Sequence, residues 1–374
     1  MHKNILLLFA SLLFCFLFSE FTVFLVSELS YLPLRRPSYD FKSIDFVGGF
    51  WGDINPHFGV WHKSHHQYRH IFPCFDVVYS SNSYGARDIE RRLVSGSTDR
   101  VIVLGDSFIE GYGVQYDKRL TSILEDRTTK EHLNFGTSGD FGTIQYWLQY
   151  KHLAKKYQHN SILISIFPGN DFTDNNIEHG RKIHSDRYRP YLVGDYPDYE
   201  LIYYVDDLTK SIGHPSNQSY AKGFFREFTF SYNLLGYLKI LLRTKENNST
   251  LIPDKSDRPN SALYEFSDQD FLKMKFTLEQ IINEARNKKI IVFTIPTLGD
   301  IKRFDVDGVP PLNKKLKRFL EDNNVLYIDI LSHLHSYTKD WEKYYHSCDG
   351  HWSEFGNLII AQYLIENLPI YKGQ

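Results

Sequence analysis

Cysteine is scarce in this chain, and so is net charge. Only three cysteines occur among 374 residues, and Cys15 lies inside an apolar run, leaving Cys74 and Cys348. Those two are either one disulfide in an oxidising compartment or two unpaired thiols, because spacing does not encode the geometry a bridge requires. Lys and Arg number 43 against 45 Asp and Glu, a net charge of −2. A field that weak holds neither nucleic acid nor an anionic membrane surface, so nucleic acid is excluded as a partner.

Long apolar runs are absent too, with one exception. Ile5 to Val26 is almost continuous Leu, Phe, Ile and Val, broken by Glu20 and small or polar residues, and about 20 such residues span a bilayer. The run lacks an A-x-A-like site for signal cleavage, and the bulky Phe14 before Cys15 argues against lipid attachment there. Residues 1–30 are therefore expected to form an uncleaved signal anchor, making the membrane a partner. His2 and Lys3 favour a cytoplasmic start and a periplasmic or extracellular body, while Arg35 and Arg36 weigh against that orientation.

A metal motif is likewise missing. His57, His62, His65, His66 and His70 form a cluster, three of them at i, i+4, i+8 spacing, yet no cysteine or carboxylate lies among them and the segment is a poor helix. They are expected to be surface or packing histidines, with no metal and no cofactor.

What the chain has in quantity is aromatic residues, 28 Phe and 26 Tyr, 16% with Trp. These either line a groove for sugars or acyl chains or reflect genomic base composition. Residues 31–98 read as a stalk, or an irregular wrap, with a lead-in to the domain that follows. Within the lead-in, Asn82 and Arg87 are placed either at a site rim or in a turn with an Arg–Asp contact. From residue 99 to 374 a βα rhythm appears: apolar runs at Val101–Leu104, Leu133–Phe135, Ile162–Phe167, Ile290–Ile295 and Val325–Ile330 alternate with amphipathic stretches at Leu120–Arg127, Tyr146–Tyr157 and Phe271–Lys288. That alternation predicts a parallel sheet of about five strands with helices on both faces. An insertion at about 174–262 breaks the rhythm and is expected over the active-site end, as a lid, a binding module or a structural elaboration. It carries two weak glycosylation sequons, at Asn217 and Asn248.

Chemistry is concentrated at strand ends. The first run stops at Gly105-Asp106-Ser107, where open α/β sheets place reactive side chains. A serine hydroxyl is nearly inert alone and needs a base and donors for the oxyanion that forms. The second strand ends in Asn134-Phe-Gly-Thr-Ser-Gly-Asp140, whose glycines let backbone approach a ligand; the third ends in Phe167-Pro-Gly-Asn-Asp171, which offers the Asn170 amide; and Cys348-Asp-Gly-His351 sets a carboxylate two residues before a histidine.

With these four blocks in this order, the chain resembles the SGNH, or GDSL, hydrolase superfamily over roughly residues 100–171 and 289–367. The resemblance implies a three-layer α/β/α flavodoxin-like fold and acyl hydrolysis or transfer on oxygen. It implies Ser107 as nucleophile and His351 as general base oriented by Asp349. It further implies an oxyanion hole from the Ser107 and Gly139 amides and the Asn170 side chain. One departure stands out: the family's commonest last block has its acid three residues before the histidine, where this chain has Cys348. The expected function is a serine esterase acting on small-molecule or carbohydrate O-acyl esters, O-acetyl groups among them. The alternatives are an envelope polysaccharide O-acyltransferase or a noncatalytic binding protein of the same fold.

Overall fold

The computed structural model describes residues 2–29, 32, 34–41, 44, 49–96, 99–183, 187–204, 217–246 and 259–372. Helix α1 (His2–Glu28) holds the apolar run and is long and apolar enough to cross a membrane, by length and composition. It is a candidate transmembrane or signal helix.

Two antiparallel hairpins follow, β1 (Asp53–Asn55) with β2 (Gly59–Trp61) and β3 (Gln67–Phe72) with β4 (Phe75–Ser80). In β4 alternate residues are buried, Phe75, Val77 and Tyr79 facing inward, as a sheet with one wet face requires. These hairpins pack on the domain: Phe58, Val60 and Trp61 join its main core, and Phe50, Tyr68, Phe75, Val77 and Tyr79 form a second cluster beside it.

The domain begins with β5 (Arg100–Gly105), a short turn of helix α2 (Ser107–Glu110), α3 (Leu120–Arg127), β6 (Glu131–Gly136), α4 (Thr143–His152) and β7 (Ser161–Ile166). Next come α5 (Pro168–Asp174), α6 (Ile177–Ile183), a hairpin of β8 (Pro190–Val193) with β9 (Glu200–Tyr203), α7 (Asn217–Phe228) and α8 (Phe230–Glu246). The chain returns through α9 (Asp268–Glu284), β10 (Lys289–Thr294), α10 (Leu298–Asp307), α11 (Pro311–Asp322), β11 (Leu326–Asp329), α12 (Leu331–Tyr337) and α13 (Glu354–Asn367).

Five parallel strands lie in the order β11-β10-β7-β5-β6. They are the five runs expected, and every residue of β5 and β7 is buried, which is why they read as continuous apolar stretches. Helix α3 packs against α13 and α4 against α9, the two layers that flank the sheet. The fold is the three-layer α/β/α arrangement. Strand order reverses between β5 and β7, and the crevice at such a switch point is where open sheets bind ligands. Ser107 stands one turn beyond the end of β5.

Candidate active site

Glycine at two strand ends sets up the turns. A Cβ on Gly105 would fall 2.1 Å from Ser165 Oγ and 2.4 Å from Ile109 Cγ1; one on Gly136 would fall 2.2 Å from the Glu110 amide nitrogen. Both sites exclude any larger residue, so β5 and β6 can close on α2. Asp106 caps α2 by accepting from the Phe108 amide at 3.0 Å, which holds Ser107 as the first helical residue.

Ser107 Oγ lies 2.6 Å from His351 Nε2, across 244 residues of sequence. On the other side of the ring, His351 Nδ1 meets Asp349 Oδ1, and the same oxygen accepts from the His351 backbone amide at 2.9 Å. That second bond makes Asp349-Gly-His351 a closed local turn, which is how an acid two residues away reaches the ring. Burial alone would raise the Asp349 carboxyl; the His351 charge and hydrogen bonds overcome it and hold the group down to about 2. Burial would lower the His351 imidazole, but the Asp349 carboxylate outweighs it and its pKa is raised. The pair is thus poised as carboxylate and readily protonated imidazole.

Gly139 has φ +104°, and a Cβ there would press on Val60 at 3.3 Å. Its turn is fastened to α2: the Ser138 amide and hydroxyl both donate to Glu110, three residues beyond Ser107. Asn170 lies in α5, half-buried, with its side chain against the Asp106 carboxyl. Among the described residues, Asp106 Oδ2 and Asn170 Oδ1 are buried without hydrogen-bond partners. Burial pushes Asp106 up to about 6 and Asp174 up to about 7, and it raises Asp171 well above the carboxylate range with help from the Asp106 charge. Ser107, His351 and Asp349 are joined directly; Gly139 and Asn170 are tied to the same end of the sheet through Glu110 and Asp106.

Tyr112, Glu110 and Trp51, which sequence reasoning did not single out, support the site together with His62, His70 and Arg87, which it did. Tyr112 stacks on the His351 ring with centroids 4.2 Å apart, and its hydroxyl is 3.5 Å from His70 Nε2. Glu110, fully buried, also accepts from Trp51 Nε1 at 3.1 Å, with His62 Nε2 at 3.6 Å. Burial would raise Glu110, but His62, Arg87 and Ser138 together bring it to about 2. Arg87 donates to the carbonyls of Glu110 and Val114 at 2.9 and 2.7 Å and to that of Gly111, and it stacks on Tyr79. It braces the loop after Ser107, while the Asp88 carboxylate pairs with Arg91 and Arg119. Asn82 closes a local turn, accepting from the Tyr84 and Ala86 amides.

The histidines of the 57–70 cluster are dispersed. His62 bonds Gly85 O and Thr137 Oγ1, His70 bonds Tyr79 Oη, and His57 stacks on His152. Cys74 and Cys348 are joined in a disulfide, which ties the β3–β4 hairpin to the residue beside Asp349. From the insertion, Arg187 donates to the Gly139 carbonyl at 3.0 Å and pairs with Asp140, while α8 lies against α1 and α7 against α8. Asn248 lies outside the described residues.

Residues 103–359, more than half of the chain, match the GDSL-like Lipase/Acylhydrolase family. The chain belongs to that family. It is accordingly an ester-hydrolysing enzyme of the SGNH superfamily. Among solved structures it is similar to a member of the lipolytic protein G-D-S-L family from Veillonella parvula, at 14% identity and TM-score 0.39, covering 72% of this chain and 98% of that one. It is also similar to a lipase/acylhydrolase from Enterococcus faecalis, at 10% identity and TM-score 0.37, covering 71% and 95%. A GDSL-like lipase from Bacteroides thetaiotaomicron aligns at 12% identity and TM-score 0.31, covering 72% and 89%. No curated protein matches the sequence.

Proposed function

We propose that this GDSL-family enzyme is a serine esterase that cleaves O-acyl esters through an acyl-serine intermediate. Ser107 Oγ attacks the ester carbonyl carbon as its proton passes to His351 Nε2. The Asp349 carboxylate keeps Nδ1 protonated and stabilises the imidazolium. Charge developing on the carbonyl oxygen is met by the Ser107 and Gly139 amides and the Asn170 side chain. When the tetrahedral intermediate collapses, His351 returns the proton to the leaving alcohol. A water molecule then repeats the sequence on the acyl-serine and releases the acid.

The observation that carries this reading is the hydrogen-bonded chain from Ser107 through His351 to Asp349, with its 2.6 Å first link. For the substrate, we read a short acyl group on a carbohydrate, such as an O-acetyl ester; the insertion reaches the site through Arg187, which donates to the Gly139 carbonyl. For location, α1 is read as a membrane anchor with the body on the periplasmic or extracellular side; the disulfide fits an oxidising compartment. The test is a fluorophosphonate probe applied to folded, detergent-solubilised enzyme. Labelling is expected in the wild type and lost in Ser107→Ala, and a wild type that resists labelling would refute the serine mechanism.

A further inference from the structure

Glu20 interrupts the apolar run of α1, and an acid inside such a helix is costly unless it meets a partner. Its partner is in the insertion. The Glu20 carboxylate accepts from the backbone amides of Phe230 and Ser231, at 2.6 and 2.9 Å, and from the Ser231 hydroxyl, so it caps the start of α8 from a different helix. Phe230 packs with Val23 and Leu34, with Leu234 and Tyr237 following at helical spacing against the same cluster. A second acid, the buried Glu227 of α7, receives Arg35 at 2.6 Å and Ser38 Oγ at 2.6 Å from the segment just after α1. Two carboxylates thus fasten α7 and α8 to the anchor and its exit.

Around this junction, among the described residues, lie large apolar side chains exposed to solvent. Tyr39, Phe41, Tyr220, Phe225, Leu235 and Leu238 are all exposed, Phe41 and Leu235 by about two thirds, at 66% and 65%. Phe41 packs on Phe228 at 4.7 Å, and Phe228 stacks on Phe224, so the aromatic members form one surface rather than scattered points. Exposed Lys222 and Lys239 lie on the same two helices. Aromatic rings and leucines with lysines alongside are the composition of a segment lying in the headgroup region. Counted from Lys3, about 20 residues cross the hydrocarbon core and bring Glu20 to its far boundary. The junction therefore stands at the height where chain emerges from lipid.

We propose that α7, α8 and residues 39–41 form a collar that lies in the lipid interface around the emerging anchor and fixes the catalytic body at the bilayer surface. The proposal rests on the membrane reading of α1. Its occupant is the lipid surface, because α8 meets α1 where Phe230 packs edge-on against Phe24, at 5.5 Å, beside the exposed Phe24 and Leu25, so that whatever contacts α1 at that height meets the collar. The collar would thereby decide which face of the enzyme looks at the membrane.

The test uses the full chain with Cys15→Ser, leaving the disulfide intact, and an environment-sensitive fluorophore on one new cysteine at a time. It is reconstituted below one protein per vesicle in phosphatidylcholine with phosphatidylglycerol, which removes shielding by a second copy. Leu13→Cys reports the anchor, Leu235→Cys and Leu238→Cys report the collar, and Lys315→Cys is the distant control. The collar sites are expected to show blue-shifted emission quenched by lipids doxyl-labelled near the headgroup, with Leu13→Cys quenched by chain-end labels and Lys315→Cys by neither. Quenching at Leu13→Cys with collar sites as unquenched as Lys315→Cys would overturn the collar and leave the anchor standing. Absence of quenching at Leu13→Cys would overturn both.

Discussion

Replacing Asp349 by Asn removes one charge and little else. The Asn Oδ1 can still accept from the His351 amide at the 2.9 Å now spanned, so the turn survives, while the imidazolium that forms during attack loses its counter-charge. The carboxyl sits at about 2 instead of its ordinary 3.8. At about 1.4 kcal/mol per tenfold change in proton affinity, that amounts to about 2 kcal/mol of favourable interaction with its surroundings. This contribution is fully present above pH 3.8 and is lost as pH falls through about 2. His351, raised above 6.5, adds stability that is full below 6.5 and lost as pH rises through its folded value. In the variant, burial of His351 is opposed only by the weaker charges of Asp106 and Glu110, its pKa falls, and the acid limb of kcat/KM moves to lower pH. Turnover should drop on the order of 10²–10⁴, combining lost imidazolium stabilisation with a mixed ring tautomer. The assay is p-nitrophenyl acetate hydrolysis across a pH series bracketing the imidazole. A variant with wild-type turnover and an unmoved acid limb would refute the claim that Asp349 orients and charges His351.

Asn170→Ala should lower kcat on the order of 10²–10³ with little change in KM, the pattern of a donor that acts in the transition state; steady-state kinetics on the same ester decides it. Gly136→Ala drives a methyl to 2.2 Å from the Glu110 amide and should cost about 1–3 kcal/mol or more in chemical denaturation, with Gly96→Ala, in open space, as the unaffected control. The Cys74→Ser, Cys348→Ser double variant should lose about 2–5 kcal/mol of stability, seen as a lower denaturation midpoint, because the bridge closes a very long loop.

The sheet and the candidate site residues were legible because each rests on a local signal. Val101–Leu104 and Ile162–Phe167 are apolar throughout since β5 and β7 are buried on both faces. Ser107, Gly139, Asn170 and the Asp349–His351 pair follow strand ends or precede a helix cap. What escaped depends on distant partners. Trp51, His62 and Glu110 look unrelated in sequence, and only folding sets the first two around the third, where they hold Ser138 and its turn. Tyr79 alternates with exposed neighbours as a strand residue should, but one of them is Val78, and β4 is six residues long with an equally short hairpin partner, too little period to stand out among prolines and histidines. Glu20 registered only as a break in an apolar run; its meaning lies in Phe230 and Ser231, more than two hundred residues on.

The central claim is that Ser107 becomes acylated. The most direct measurement is mass spectrometry of the tryptic peptide Val101–Lys118, in which Ser107 is the one serine, after fluorophosphonate treatment of wild type and His351→Ala. The account predicts the adduct mass on Ser107 in the wild type and its near-complete loss without His351. An adduct on another residue, or equal labelling of Ser107 in both proteins, would contradict it.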